Sequence, residues 1–218
     1  MTKKRLENAF KLLRSLLRDD SDALNLIDQV EERAQNVEFK TNETESSAGG
    51  HYPVPHEIVK NELAVAIFSD GACRGNPGVG AWACMAQNAA GEILFESSGV
   101  DANTTNNRME LEGVISGLKY LIDERGGISQ TGKLEVHVYT DSRYIVDGMN
   151  QWLQGWKQRG WRKADNKVPE NLEYWKRLDE ITSFYWSVGF HWVRGHSGHP
   201  QNEHCDRLCN QAIDEARL

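Results

Sequence analysis

The chain predicts an α/β fold: a five-stranded mixed sheet flanked by helices on both faces. Three observations carry this. From residue 62, three strand-like segments follow one another and then give way to alternating helices and strands. Consecutive strands favour antiparallel hairpins, whereas strands separated by helices return parallel, so such a sheet is mixed. A hydrophobic content of 39% with seven Trp is enough for a core covered on both sides.

Residues 1–39 read differently. Leu6, Phe10, Leu13, Leu16 and Leu17 recur at helical spacing, Asp19 to Asp22 offers caps and a break, and Leu24, Ile27, Val30, Ala34 and Val37 repeat the pattern. This predicts an N-terminal helical hairpin with one apolar face. Packing against its own chain and docking a protein partner both stay open for that face. Residues 40–61 predict a flexible linker, being polar with Gly49-Gly50, Pro53 and Pro55.

Residues 62–218 form the main domain. The apolar run 63–68 is the first strand, ending in Asp70 and a loop with Gly71, Gly75, Asn76, Pro77 and Gly78. Residues 80–86 and 93–100 are the second and third strands, joined by the turn Asn88-Ala89-Ala90-Gly91. Met109, Leu111, Val114, Leu118 and Leu121 set a helix over 106–124. A fourth strand over 134–139 leads to Asp141. Short helices follow through a Trp-rich stretch, then a helix over 170–184, a fifth strand over 186–193 and a last helix over 200–217.

The net charge of −7 does not announce a nucleic-acid partner, although an average conceals local patches. No stretch is apolar for the length of a membrane span and no leader opens the chain, so a soluble cytoplasmic protein without a membrane partner is expected. A monomer is the separate expectation for its assembly, which these observations do not decide. Cys73, Cys84, Cys205 and Cys209 contain no Cys-x-x-Cys pair and read as free thiols. A zinc site built from His196, His199, His204, Cys205 and Cys209 lacks the tighter paired spacing of structural zinc sites.

Four carboxylates carry the chemistry. Asp70 follows strand one, Asp141 follows strand four, Glu110 sits on the first helix of the domain, and Asp206 opens the last helix. Singly, each reads as a cap or a solvated face. If strands one and four are neighbours, the carboxylates converge and repel one another unless cations sit between them. Hard oxygen donors with room for water select Mg²⁺, with Mn²⁺ as the alternative. Two such ions about 4 Å apart can activate water and stabilise the leaving oxygen of a phosphodiester.

Ser69-Asp70-Gly71 with Gly75-Asn76-Pro77-Gly78, then Thr104-Thr105-Asn106-Asn107-Arg108-Met109-Glu110, Thr140-Asp141-Ser142, and Val193 to Pro200 leading to Asp206, resemble in order and spacing the motifs of bacterial ribonuclease H type 1. The resemblance runs from about residue 62 to the C-terminus. It implies a ribonuclease H-like fold, with Asp70, Glu110, Asp141 and Asp206 holding two Mg²⁺ ions. It also implies that His196, on a Gly-flanked loop, assists proton transfer or product release.

The stretch 151–163 interleaves Trp152, Trp156 and Trp161 with Lys157, Arg159, Arg162 and Lys163. At least one of these Trp is expected in the core. The rest suit stacking and phosphate attraction. The stretch resembles the basic protrusion of bacterial ribonucleases HI, though Gln154, Gln158 and Asp165 dilute its charge. By that resemblance Tyr144 and Trp152 line a DNA-strand channel, and Thr105 and Asn171 take a DNA phosphate. Asn76, Asn106 and Asn107 lie over the RNA minor groove, where neutral donor–acceptor groups read a 2′-hydroxyl. The implied substrate is an RNA–DNA hybrid. A non-catalytic hybrid-binding module on the same fold is the alternative.

Overall fold

In this computed structural model the described residues are 10, 14, 17, 20–36 and 52–216. The chain divides into two units, residues 1–50 and 51–218.

In the first unit, α1 (Ser21–Asn36) begins where Asp20 accepts a 3.0 Å hydrogen bond from the Ala23 amide. Ile27 is buried, while Val30, expected on the same apolar face, is exposed. Arg14 bridges Asp28 and Glu31. Most of the first expected helix, and Val37, lie outside the described residues.

In the second unit five strands are ordered β3-β2-β1-β4-β5. β1 (Ala64–Arg74), β2 (Gly78–Asn88) and β3 (Ile93–Thr104) form an antiparallel meander. β4 (Glu135–Thr140) and β5 (Ser187–Trp192) run parallel to β1. Strands one and four are therefore neighbours, as the convergence of the carboxylates requires.

Alternation along β1 sends Val65 and Ile67 to one face and Ala64, Ala66 and Phe68 to the other. The first face packs under α2 (Asn106–Glu124) and α6 (Leu172–Thr182), around Leu111, Val114, Leu118, Trp175 and Leu178. The second packs under α7 (Pro200–Glu215), through Cys205, Cys209 and Ile213. A short α3 (Ile128–Thr131), not expected from the sequence, precedes β4. The Trp-rich stretch follows α4 (Arg143–Asp147), as a π-helical turn (Gly148–Trp152) and then α5 (Leu153–Gln158).

Two expected boundaries move. Strand one does not stop before Asp70. Its parallel pairing with β4 ends at Phe68↔Tyr139, but antiparallel pairing with β2 continues through Asp70↔Ala83 to Arg74↔Val79. Asp206 does not open the last helix, because Pro200 already occupies its first turn and Asp206 lies well inside it.

The segment 52–61, expected within the linker, is packed onto the second face. Ile58 is fully buried. The carbonyls of Tyr52 and Pro53 accept from Gln87 and Gln201, at 3.1 and 2.6 Å, and Asn61 donates to Glu135 at 2.8 Å. Tyr52, Val54 and Ile58, on either side of the prolines and between them, supply the apolar part of that contact, which a compositional reading of the linker overlooks.

Candidate active site

β1 and β4 separate just beyond Phe68 and Tyr139, and Asp70 and Asp141 each lie two residues past that level. A splayed pair of parallel strand ends is where open α/β sheets place their sites. Glu110 enters from α2, whose backbone lies so close to β1 that a Cβ on Gly71 would strike Met109 and Glu110. Asp206 enters from α7. The four carboxylates and His196 line one cleft, with Cys73 and Asn106 in its wall.

Crowding shows in the electrostatics. Burial, then Asp141, Asp206 and Glu110, pushes Asp70 up to about 8, against a 2.7 Å hydrogen bond from the Gly71 amide. Burial also pushes Glu110 up to about 7, although Ser142 and Asn106 both donate to it. Asp141 is raised by burial and by Asp206. Its carboxylate rests against Gly195, where a side chain would collide with it. The indole of Trp192 donates to the Asp141 carbonyl at 3.0 Å, with the Arg143 guanidinium 4.0 Å over the Trp192 ring.

His196 adopts a left-handed backbone (φ 49°), uncommon outside glycine, and its ring is mostly exposed. Nδ1 lies 3.9 Å from Asp206 Oδ2.

Among the described residues no group of three His, Cys, Asp or Glu side chains is already arranged to hold a metal ion. The donor chemistry nevertheless fits a hard divalent cation. Carboxyls pushed toward neutrality by burial, and further by one another, are relieved by positive charge. The cleft encloses about 340 Å³, and at about 30 Å³ per water it has room for hydrated ions. The zinc alternative finds no support, since Cys205 and Cys209 donate inward to the Phe68 and Asp70 carbonyls and His204 pairs with Glu96. All four cysteines are free thiols.

Two hollows lie beyond the carboxylates. Asn76, Thr105, Asn107 and Asn171 share one with Arg108 and Glu170. Tyr144, Trp152, Trp156 and Lys163 share the other with Pro169 and Glu170. Glu170 borders both, so they adjoin. Asn106 is drawn instead into the carboxylate cleft, donating to Glu110 at 2.7 Å. Trp156 is buried, as expected for one Trp of the stretch, and Trp152 is exposed. Lys157 is not brought to these hollows. It pairs with Asp179 at 2.7 Å and lines a separate depression with Met149 and Phe190. Arg159 and Arg162 are spent on backbone carbonyls, of Arg162 and Asn166. Trp161 packs at the edge of the core under Lys176.

Sequence reasoning gave no role to Arg108 or Ser142. Arg108 donates to Asn171 Oδ1 at 3.2 Å, so a cation sits in the amide-lined hollow. Both residues stand inside the quoted motifs, and their place beside Thr105 and Asp141 was the available signal.

The RNase H family model matches residues 62–214. Ribonuclease H of Thiobacillus denitrificans is 45% identical over 153 residues, 70% of this chain and 95% of that protein. Ribonuclease H of Cupriavidus necator is 45% identical over 150 residues, 69% of this chain and 95% of that protein. Among solved structures, LC9-RNase H1, described as a type 1 RNase H with the type 2 active-site motif, aligns with TM-score 0.60 and 35% identity over 70% of this chain and 72% of that one. LC11-RNase H1 in complex with an RNA/DNA hybrid aligns with TM-score 0.56 and 29% identity, over 71% and 99%. Since the matched span takes in every strand of the sheet and all four carboxylates, this chain belongs to the ribonuclease H family and is an enzyme of that family.

Proposed function

We propose that this protein hydrolyses the RNA strand of RNA–DNA hybrids, leaving 5′-phosphate and 3′-hydroxyl ends. The observation that carries this reading is the single cleft shared by Asp70, Glu110, Asp141 and Asp206, three of them with raised pKa. The hybrid bound to LC11-RNase H1 supports the substrate.

Asp70, Glu110, Asp141 and Asp206 would hold two Mg²⁺ ions, or Mn²⁺. Bound there, such ions supply a water activated for attack and charge for the leaving oxygen. The protein's own groups do the rest. Gly71 and Gly195 keep the walls close enough for carboxylates from four elements to share one space. His196, exposed beside Asp206, takes or delivers a proton as product leaves. Thr105, Asn171 and Arg108 hold a phosphate of the DNA strand, while Tyr144 and Trp152 stack against its sugars and bases. Asn76 and Asn107 offer neutral amides to a 2′-hydroxyl, the group that distinguishes RNA from DNA.

The test is competitive. Labelled RNA–DNA hybrid, duplex DNA and duplex RNA are offered together with Mg²⁺. Cleavage confined to the RNA strand of the hybrid is expected. Intact hybrid, or equal attack on duplex RNA, would overturn the reading.

A further inference from the structure

Glu110 and Asp141 come from elements remote in sequence, yet one side chain joins them. Ser142, directly after Asp141, is 4% exposed. Its hydroxyl accepts a hydrogen bond from the Ile145 amide at 3.4 Å, as the N-cap of α4. The same hydroxyl donates to Glu110 Oε2. Its own amide donates to Thr140 Oγ1 at 3.2 Å, and Thr140 is fully buried. Capping needs only the lone pair of the hydroxyl, so the proton sent to Glu110 is not explained by the cap. The other carboxylate oxygen, Oε1, receives Asn106 at 2.7 Å. Each oxygen of Glu110 thus has its own donor, and the Ser142 donor is fixed by a strand end and a helix start that also fix Asp141.

We propose that Ser142 is a positioning residue that sets the orientation of Glu110 relative to Asp141, so that the cleft takes up a divalent cation without first reorganising. This rests on the hydrolytic reading above. Glycine is nearly as good an N-cap as serine, so Ser142→Gly removes the donor at little cost to α4. Ser142→Thr keeps both hydroxyl roles.

Thermal unfolding is followed while Mg²⁺ is titrated into the hybrid-free protein, and kcat and KM are measured on the hybrid. In Ser142→Gly the Mg²⁺ concentration at half-maximal stabilisation should rise several-fold. kcat should fall about 10–100-fold, the range of a hydrogen bond to a charged group. KM and metal-free hybrid binding should stay within about twofold, as expected for a residue that touches no substrate. Ser142→Thr should recover most of the loss. An unchanged Mg²⁺ titration and kcat in Ser142→Gly, with only the metal-free midpoint lowered, would reduce Ser142 to a cap and overturn the proposal. If the unaltered protein left hybrids intact, the hydrolytic reading would fall, while the Mg²⁺ titration would still decide the role of Ser142.

Discussion

The Tyr139 hydroxyl donates a 2.8 Å hydrogen bond to Glu57 Oε2, tying β4 to the packed segment before the sheet. That bond holds Glu57 below the usual carboxylate range, while burial pushes the Tyr139 phenol up. The folded unit therefore starts near residue 52, ahead of the family match at 62. A chain beginning at residue 51 should unfold at the same temperature as the second unit of the intact protein. One beginning at residue 62 should unfold several degrees lower, and Ile58→Ala alone should cost about 2–5 kcal/mol. Equal midpoints for the two truncations, read by calorimetry, would show that the segment contributes nothing.

Asp70→Asn should abolish cleavage and stabilise the metal-free protein. The raised values of Asp70 and Glu110 mean that the folded state binds more protons than the unfolded chain. Their contribution is present below about pH 4 and is lost as pH rises toward 7–8, so metal-free stability falls across that window. Asparagine removes the largest part of that fall. The midpoint at pH 8 should rise, by about 2–4 °C for each kcal/mol relieved, and its slope against pH should flatten. Added Mg²⁺ should stabilise the unaltered protein more than the variant. A variant with a lower midpoint at pH 8 would contradict the electrostatic picture.

His196→Ala should slow turnover by about 10²–10⁴-fold and leave hybrid affinity intact. The loss should be smaller than that from Asp70→Asn, because the carboxylate cleft survives. Rates equal to the unaltered protein across pH 6–9 would make His196 an ordinary loop residue.

Lys163 and Lys157 give a paired comparison within one protrusion. Lys163 faces the hollow with Trp152, and Lys157 is neutralised by Asp179 on another side. Lys163→Ala should weaken hybrid binding and lower the log–log salt slope by roughly 0.9, the loss of one phosphate contact. Lys157→Ala should change the slope little. The reverse order would relocate the nucleic-acid surface.

The strands and the long helices were legible because each sits in a local pattern, an apolar run or a helical stripe, whereas Asp70, Glu110, Asp141 and Asp206 read singly as caps or solvated faces and stood out only as a set, through the order and spacing of the segments around them. Strand one was read too short, because Asp70 and Gly71 look like a stop. In the fold β2 continues to pair with them across the hairpin, from Asp70↔Ala83 to Arg74↔Val79, and a reading that follows only the apolar run does not see that pairing. Residues 52–61 looked like a linker because Pro and polar residues outnumber Tyr52, Val54 and Ile58, yet three apolar contacts suffice to dock it. Lys157, Arg159 and Arg162 read as one basic surface, and only the fold shows where each points. The double role of Ser142 was equally hidden, since capping alone explains a serine before a helix.

The most direct measurement follows an RNA–DNA hybrid, its RNA strand labelled at the 5′ end, over time with the unaltered protein and with Asp70→Asn side by side, in Mg²⁺ and in chelator. The unaltered protein should cut the RNA strand in Mg²⁺ alone and leave 3′-hydroxyl ends on the labelled fragments, and Asp70→Asn should bind the hybrid and leave it whole. Cleavage by the unaltered protein in chelator, or near-normal cleavage by Asp70→Asn in Mg²⁺, would contradict metal-dependent hydrolysis at these four carboxylates.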